Sequence, residues 1–320
     1  MKILLIKTSS IGDILHSFPA LTDAKQVIPN IKFDWVIEEN FSQIPFWHKA
    51  VNRIITTGIR RWRKNWFSKQ TKIERTLFIQ KLQSENYNAI IDAQGLFKSA
   101  FFITRLARGC KHGYNYYSIR ERFASFFYDQ KYFISKQQHA IERIRQLFAK
   151  SIGYQYQPTK AQYDINHIFF QSVTKNIYPY IIFLHSTTRT NKHWPEFRWK
   201  ELISKIIKIK IKIKLPWVTN SEQQRALRLA NNFNFIEVLP KLTLTEIGKE
   251  IINAKAIVSV DTGLSHLASA LNKPNITLYG PTKPDLIGRY GEKQYFIKST
   301  NNKMINIKSD DVYQQLIKYI

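Results

Sequence analysis

Several features are scarce or missing in this chain of 320 residues, and each absence excludes a class of protein. The single cysteine, Cys110, excludes an internal disulfide and suits a reducing compartment. No apolar run approaches the ~20 residues that cross a bilayer. The apolar start of the chain is short and is soon followed by Asp13, which is typical of a first β-strand and not of a signal peptide. We therefore predict a soluble, cytoplasmic protein.

Sequence motifs of several enzyme classes are also missing. The first loop has neither the GxGxxG pattern of dinucleotide-binding proteins nor the GxxxxGK[ST] pattern of P-loop proteins. There is no Gly-x-Ser-x-Gly elbow, no His/Cys/Asp cluster with the spacing of metal ligands, and no repeat of short period. We predict that no metal is bound.

Acidic residues are few relative to basic ones. Lysine and arginine number 49 against 23 aspartates and glutamates, a formal net charge of +26. Such a charge favours an anionic partner, which can be nucleic acid, lipid headgroups or a phosphorylated substrate. Residues Ile206 to Leu215 almost form an Ile-Lys repeat, however, so the charge can equally reflect drift in composition. Charge alone does not choose the partner.

Short β-branched strands alternate with amphipathic segments, which predicts an α/β protein with two domains. The periodicity weakens from Gly153 to Pro179, the predicted linker. We place one domain at residues 1–170 and the other at 171–320, with a last helix over Asp310–Ile320 that could pack back on the N-terminal domain. The predicted strands are Lys2–Ile6, Ile31–Ile37, Val51–Thr56, Asn88–Asp92, Tyr180–His185, Lys210–Leu215, Phe235–Leu239, Ala256–Val260 and Asn275–Tyr279.

The stretch Ser259-Val-Asp-Thr-Gly-Leu-Ser-His266 predicts a strand, a glycine turn and a helix, with Thr262 and Ser265 as candidate caps. This arrangement aims backbone N–H groups and a helix dipole at an anion. An ordinary βα turn has the same pattern, so the motif by itself favours the structural alternative. The loop from Ser186 to Pro195 adds hydroxyls and Lys192 at another strand end, and these suit phosphate oxygens.

Two acidic residues each have a structural and a functional interpretation. Asp13 lies where the first loop enters a helix predicted over Ile14–Val27, so it is either an N-cap or a general base at a strand's carboxyl end. Glu222 lies at the start of another helix, where it either complements the helix dipole or accepts a ribose hydroxyl.

The segment Arg60-Arg-Trp-Arg-Lys-Asn-Trp-Phe67 combines four cations with three aromatic residues. It could bind nucleic acid by charge and stacking, or it could lie on an anionic membrane. A solvated helix whose tryptophans point inward explains the pattern equally well.

Taken together and in order, five motifs resemble the lipopolysaccharide heptosyltransferases of glycosyltransferase family 9, and among them the type that adds the first heptose. They are Lys7-Thr-Ser-Ser-Ile-Gly-Asp-Ile-Leu-His16, Arg60-Arg-Trp-Arg-Lys64, Ile91-Asp-Ala-Gln-Gly-Leu96, Lys192-His-Trp-Pro195 and Ser259-Val-Asp-Thr-Gly-Leu-Ser-His266. The resemblance implies a GT-B fold, with two Rossmann-like domains facing a central cleft. It implies transfer of L-glycero-D-manno-heptose, with inversion, from ADP-L-glycero-β-D-manno-heptose to Kdo of Kdo2-lipid A, without metal or other cofactor. The enzyme would act as a peripheral protein at the anionic cytoplasmic face of the inner membrane.

The resemblance also implies roles for individual residues. Asp13 would be the general base, with Lys192 assisting catalysis. The diphosphate, the donor sugar and the nucleotide would be held by Thr187, Thr188, Lys192, Glu222, Leu242, Asp261, Thr262, Gly263 and His266. Leu242 stands where the family commonly has methionine against the adenine, which keeps an apolar surface. The phosphorylated, carboxylated acceptor would be bound by Arg60, Arg61, Arg63, Lys64, Lys98 and Arg120.

Three alternatives remain open on the sequence. A sibling enzyme that adds the second heptose shares the fold, although the Thr8-Ser-Ser10 loop and the Arg60 cluster favour the first type. A basic nucleic-acid-binding protein is the alternative from another class, but the positive charge is spread along the chain and the polar residues gather at strand ends, so no nucleic acid is expected. A nucleotide-sugar epimerase is less favoured because its resemblance does not extend to the first loop.

Overall fold

The computed structural model describes residues 1–170, 179–288 and 290–320, which form two compact units, Met1–Asp164 and Ile165–Ile320. The sequence placed the boundary after residue 170, and part of the predicted linker, 171–178, lies outside the described residues. Phe169 explains why the second unit begins earlier, because its ring is fully buried against Gly248, where a Cβ atom would approach the ring to 2.4 Å.

The first unit contains a parallel sheet of six strands in the order β3-β2-β1-β4-β5-β6. These strands are β1 (Lys2–Ile6), β2 (Lys32–Glu38), β3 (Val51–Thr57), β4 (Asn86–Asp92), β5 (Arg108–Tyr114) and β6 (Gln130–Tyr132). In β1, the side chains from Ile3 to Ile6 are fully buried. This is expected of a central parallel strand, since helices cover both faces of such a sheet.

The helices of the first unit are α1 (Ile11–Leu15), α2 (Phe18–Val27), α3 (Ile59–Trp62), α4 (Lys69–Gln83), α5 (Phe97–Phe102) and α6 (Ala140–Ile152). The single helix predicted over Ile14–Val27 was wrong, because the chain breaks at His16 and Ser17 into two helices. Pro19 accounts for the break, since proline lacks an N–H group and is favoured in the first turn of a new helix.

The second unit contains a parallel sheet in the order β12-β11-β10-β7-β8-β9. Its strands are β7 (Tyr180–Leu184), β8 (Lys212–Leu215), β9 (Ile236–Val238), β10 (Ile257–Val260), β11 (Asn275–Tyr279) and β12 (Gln294–Lys298). Its helices are α7 (Asn166–Phe169), α8 (Glu196–Ile206), α9 (Asn220–Ala230), α10 (Leu244–Asn253), α11 (Gly263–Ala270), α12 (Pro284–Ile287) and α13 (Ser309–Leu316). None of the helices in these described ranges is long and apolar enough to cross a membrane.

The last helix, α13, packs in the second unit, against α8 and the strands β11 and β12. Its apolar residues Val312 and Leu316 are fully buried in the core of that unit. The α13 helix thus contributes to the core of the second unit, and the expectation that the last helix packs back on the N-terminal domain stays a prediction.

Both sheets have the strand order of a Rossmann fold, because each winds outward in one direction from its first strand and then in the other. The winding reverses between β1 and β4 in the first unit and between β7 and β10 in the second. In open parallel sheets, ligands bind beyond the carboxyl ends of the strands at this reversal. The predicted α/β class with two Rossmann-like units is confirmed, and the loops after these four strands are where a site is expected.

Candidate active site

In the first unit, Asp13 lies in the first turn of α1, directly after the loop that leaves β1. One carboxylate oxygen, Oδ2, accepts hydrogen bonds from the Ser10 backbone N–H at 3.0 Å and from the Ser10 hydroxyl at 3.2 Å. Asp13 is thus the third residue of α1 in a capping box, rather than the N-cap itself. The other oxygen, Oδ1, lies 3.9 Å from Lys7 Nζ, and the side chain is 48% exposed. One oxygen therefore holds the helix while the side chain stays accessible to a hydroxyl group.

Lys7 is a residue of this site that the sequence did not single out. Its side chain is only 8% exposed, and Nζ donates to the Ala93 carbonyl oxygen at 3.1 Å in addition to facing Asp13. Lys7 thus places a largely buried cation between the ends of β1 and β4, beside the Asp13 carboxylate. Its position in the sequence could have identified Lys7 as a site residue, because it directly follows the first strand, where the sheet reverses its winding.

The loop after β4 is fastened to the loop after β1. Gln94 Oε1 accepts from the Thr8 backbone N–H at 2.9 Å, and the fully buried Asp92 accepts from the N–H groups of Gln94 and Gly95 at 2.9 and 3.0 Å. Burial raises the pKa of Asp92, and these hydrogen bonds, with those from the Ser99 and Thr104 hydroxyls, oppose that shift. Asp92 and Gln94 thus fix the shape of the strand-end loops that carry Asp13.

The Arg60 segment lies beyond β3, at the same edge of the sheet. Trp62 is buried, and its indole N–H donates to Glu74 at 2.6 Å, while Trp66 packs edge-on against Phe102. The two tryptophans therefore anchor the segment to the fold. Because the Trp62 ring is not exposed, Trp62 cannot attach the segment to a bilayer.

The cations of this segment differ in their surroundings. Arg61 is bidentate to Glu39, at 3.0 and 3.1 Å, and also donates to Glu74 at 2.7 Å. Its guanidinium is therefore engaged within the protein, which favours a structural role for a residue that the sequence grouped with the acceptor site. The structure records no ion pair for Arg60, Arg63 or Lys64 within the described ranges, and all three are exposed.

The structure brings Arg60 and Lys98 together around Glu38, the last residue of β2. The Glu38 carboxylate is buried and accepts from the Arg60 backbone N–H at 3.1 Å. Burial raises the pKa of Glu38, and the charges of Arg60 and Lys98 act in the opposite direction. Arg120 is exposed in the loop after β5, and the neighbouring Glu121 accepts from the Phe97 N–H at 2.6 Å. Arg60 on α3, Lys98 on α5 and Arg120 in the loop after β5 thus follow the carboxyl ends of three strands of the sheet.

In the second unit, Lys192 and Asp261 form an ion pair of 2.5 Å between Nζ and Oδ2, with side chains 15% and 8% exposed. Thr282, which follows β11, donates its hydroxyl to the same carboxylate oxygen at 2.6 Å. The three residues come from the loops after β7, β10 and β11, adjacent parallel strands whose carboxyl ends meet. Thr282 completes this cluster and is a second residue that the sequence did not assign to the site.

Beside this cluster, Thr262 occupies the N-cap position of α11, and Gly263 begins the helix. The first N–H groups of a helix have no partner within it, so they are available to an anion. In the loop after β7, His193 Nε2 lies 2.7 Å from the Thr187 carbonyl oxygen, which closes the loop, while the next residue, Thr188, is exposed. His266 lies on the first turns of α11 and is half-buried.

The predicted nucleotide contacts occupy two further strand-end loops. Glu222 is the third residue of α9, and its carboxylate accepts from the N–H groups of Val218 and Thr219 at 2.7 and 3.2 Å. Glu222 therefore complements the start of the helix, as its structural interpretation predicts. The ribose contact stays a prediction. Leu242 is half-buried in the loop between β9 and α10.

Each unit therefore presents a distinct chemistry at its switch point. The first carries an accessible carboxylate among cations, and the second carries a lysine, hydroxyls and helix N–H groups suited to phosphate oxygens. Two Rossmann-like units with these strand-end loops define an α/β protein of the nucleotide-binding class, with ligand sites at the switch points of its sheets.

Comparison with known proteins gives the family. A profile of glycosyltransferase family 9 (heptosyltransferase) matches residues 75–317. The chain is 54% identical over 316 residues to lipopolysaccharide heptosyltransferase 1 of Escherichia coli strain K12, covering 99% of both chains. The structure of E. coli heptosyltransferase WaaC with ADP matches over 100% of both chains, with a TM-score of 0.96 and 52% identity. The structure of the same enzyme with ADP-2-deoxy-2-fluoro heptose matches over 100% of both chains, with a TM-score of 0.94 and 51% identity. The chain belongs to glycosyltransferase family 9, the heptosyltransferases, which confirms the predicted family, fold and enzyme class.

Proposed function

We propose that this enzyme transfers heptose from ADP-L-glycero-β-D-manno-heptose to a Kdo residue of Kdo2-lipid A, in the inner core of lipopolysaccharide. The 54% identity to a lipopolysaccharide heptosyltransferase 1 supports the reaction, and the ADP-heptose analogue bound to the similar E. coli enzyme supports the donor. The observation that carries the acceptor is local. Asp13 follows a strand end on the same side of the sheet as Arg60, Lys98 and Arg120, so a carboxylate that could accept a proton has cations suited to an anionic sugar nearby.

In the proposed reaction, a Kdo hydroxyl oxygen attacks the anomeric carbon of heptose as the bond from that carbon to the diphosphate oxygen breaks. Asp13 accepts the hydroxyl proton, and ADP leaves with the bonding electrons. A carboxylate is a sufficient base because the hydroxyl becomes acidic only late, when the transition state has oxocarbenium character. A single displacement of this kind inverts the configuration at the anomeric carbon.

The leaving ADP gains negative charge in the transition state, and the second unit is built to stabilise that charge. Lys192, Thr187, Thr188 and the first N–H groups of α11 are placed at strand ends, where fixed donors need no reorganisation as the bond breaks. Asp261 pairs with Lys192 and accepts from the Thr282 hydroxyl, so the carboxylate that positions the lysine is itself held. When a diphosphate binds, the lysine can share its donors between Asp261 and a phosphate oxygen, since an ammonium has three.

The direct test is a turnover experiment with the purified chain, ADP-heptose and Kdo2-lipid A, followed by mass spectrometry of the lipid. The expected product is heavier by one heptose. A parallel reaction with an acceptor that already carries the first heptose separates the enzyme from its sibling. If only the heptosylated acceptor gains mass, the chain adds the second heptose and the proposed acceptor is wrong.

A further inference from the structure

In the short 3₁₀ helix Arg122–Phe127 of the first unit, two large apolar side chains face solvent, which is unusual for a surface helix. Phe123 and Phe126 are 70% and 66% exposed, while Ala124 and Ser125 between them are buried. Residues three apart lie on the same face of a 3₁₀ helix, so the two phenyl rings project together. A surface helix ordinarily turns its large apolar residues to the core. The reversed arrangement indicates a partner outside the folded unit.

The two rings belong to a larger surface, which we call the aromatic surface and define as Phe97, Tyr117, Phe123 and Phe126. Phe97 is 42% exposed on α5, and Tyr117 is 73% exposed in the loop after β5. Helix α5 packs on the 3₁₀ helix through Phe127, whose ring centroid lies 5.7 Å from that of Phe97. The exposed rings are therefore carried by elements that are packed together.

The charge around the aromatic surface is positive. Lys98, Arg120 and Arg122 lie on the same elements, and Arg105, which follows α5, stacks over the ring of Phe101, with 3.9 Å from Cζ to the ring centroid. The acidic neighbours are engaged within the protein. Glu121 accepts from the Phe97 N–H, and Asp129 accepts from the Lys111 N–H at 2.8 Å. The partner that complements this surface is therefore both apolar and anionic.

We propose that the aromatic surface docks this enzyme on an anionic lipid bilayer. Aromatic side chains with arginine and lysine around them are typical of segments that lie in the interface of a membrane, where rings enter the headgroup region and cations meet lipid phosphates. The surface adjoins Lys98 and Arg120, two of the predicted acceptor contacts. The inference rests on the proposed function in one respect, that the acceptor sugar is attached to a membrane lipid.

The test is sedimentation with vesicles of phosphatidylethanolamine and phosphatidylglycerol, with no donor or acceptor present. The full chain should partition to these vesicles, and less to phosphatidylcholine or at high salt. The double variant Phe123→Ser/Phe126→Ser should partition at least about tenfold less, because burial of two phenyl rings is lost. Phe126→Trp should retain binding, since tryptophan favours the bilayer interface.

Phe197→Ser is the matched control, because Phe197 is also exposed and lies beside an arginine, Arg198, but on α8 of the second unit. It should bind vesicles as the unaltered chain does. Turnover of a deacylated acceptor by Phe123→Ser/Phe126→Ser should be unchanged, which shows that the fold is intact. If no form of the chain turns over any acceptor, the proposed function fails while the vesicle result stands.

Undiminished vesicle binding by the double variant would overturn the proposal. The proposal would also be overturned if the double variant lost binding to an RNA homopolymer and not to vesicles. A nucleic acid would then be the partner. A dimer of the unaltered chain that the two serine substitutions dissociate would overturn it as well, since the occupant would then be a second copy of the chain.

Discussion

One oxygen of Asp13 closes the capping box of α1 while the side chain remains 48% exposed, so the residue proposed as the base also stabilises a helix. Asp13→Ala should lower kcat by roughly 10²–10⁴ with little change in donor affinity, because the base acts only in the transition state. It should also lose about 1 kcal/mol of stability through the lost cap. Steady-state kinetics and chemical denaturation measure the two effects separately.

Glu246 provides the matched control for Asp13. Glu246 closes the same type of capping box, with Thr243 at the start of α10, but it lies in the second unit and is not proposed as a base. Glu246→Ala should lower the melting temperature and leave kcat unchanged. A kcat near that of the unaltered enzyme in Asp13→Ala would leave capping as the only function of Asp13.

Lys192 is expected to act on the donor. Lys192→Ala should lower kcat/KM for ADP-heptose by about 10²-fold or more, because a donor aimed at the departing phosphate is lost. The variant also leaves Asp261 largely buried without its cation, and that carboxylate would repel the diphosphate. Adding Asp261→Asn should therefore restore part of the donor affinity, measured by calorimetry with ADP. No recovery in the double variant would indicate that Asp261 itself binds the donor.

At the residue scale, the sequence could identify side chains but not their partners. Lys192 and Asp261 were both selected, yet their ion pair joins loops that are far apart in sequence. Lys7 and Thr282 were missed because a lysine or a threonine after a strand is common, and only the fold shows that these strand ends are adjacent. Arg61 was grouped with its neighbours because charge spacing does not reveal that Glu39 and Glu74 engage it.

Among the elements, the α3 segment has arginines in two kinds of surroundings. Arg61 is paired within the protein, whereas Arg60 and Arg63 are exposed and are proposed to bind the acceptor. The double variant Arg60→Ala/Arg63→Ala should raise KM for the acceptor without changing donor affinity, because exposed guanidiniums are suited to two-point contacts with carboxylate or phosphate. Arg61→Ala should mainly lower the melting temperature, because it removes the ion pairs to Glu39 and Glu74. Full-length and deacylated acceptors should show the same rise in KM. A rise with the full lipid alone would assign the arginines to the membrane.

Strand β7 is followed directly by a buried histidine, His185, which makes the stability of the fold sensitive to pH. Burial, with a smaller effect of the Arg225 charge, lowers the pKa of His185 to about 3, while Glu196 acts in the opposite direction. The unfolded state, with a pKa near 6.5, therefore binds more protons between these values, and stability must fall as the pH falls below about 6.5. The limiting slope is about 1.4 kcal/mol for each pH unit.

His185→Asn isolates this effect, because the amide can keep the hydrogen bond to the Ser186 hydroxyl, which lies 2.8 Å from His185 Nδ1. Urea unfolding at pH 7 and pH 5 should show a smaller loss of stability in the variant than in the unaltered chain. Equal losses in both proteins would show that other groups govern the acid sensitivity.

The strands that the sequence predicted are those with apolar, β-branched residues, such as β1, β7 and β10. Strands β5, β6 and β12 were missed, and each departs from that pattern. The residues of β5, Arg-Gly-Cys-Lys-His-Gly-Tyr, include two glycines and three basic side chains, and β6 and β12 lie at the outer edges of their sheets. Edge strands are partly solvated, so their composition is weakly constrained.

For the whole molecule, the proposed reaction takes the charge that assists ADP departure from the chain itself. Lys192 and the N-terminal N–H groups of α11 lie at the reversal of the second sheet. We therefore expect turnover to be unchanged in a chelator, measured after extensive dialysis against it. A strict requirement for Mg²⁺ or Mn²⁺ would mean that these groups do not suffice and that the assignment of leaving-group assistance to Lys192 is wrong.

The basic residues that give the net charge of +26 differ in their position in the fold. Exposed lysines such as Lys208 and Lys210 lie in the connection between α8 and β8, in the Ile-Lys repeat. Arg60, Lys98 and Arg120 of the first unit, in contrast, follow the carboxyl ends of strands on the side of the sheet where Asp13 lies. Composition alone could not separate the two groups, because the difference is one of position in the fold.

The capping box of α9 has a consequence for how the second unit responds to its donor. If the Glu222 carboxylate turns to the ribose hydroxyls, the amides of Val218 and Thr219 lose their acceptor. Binding of a ligand ordinarily slows deuterium uptake, but these two amides should then exchange faster when ADP is present. The first turn of α9 would fray as the nucleotide is held, so the helix would act as an internal reporter of an occupied site.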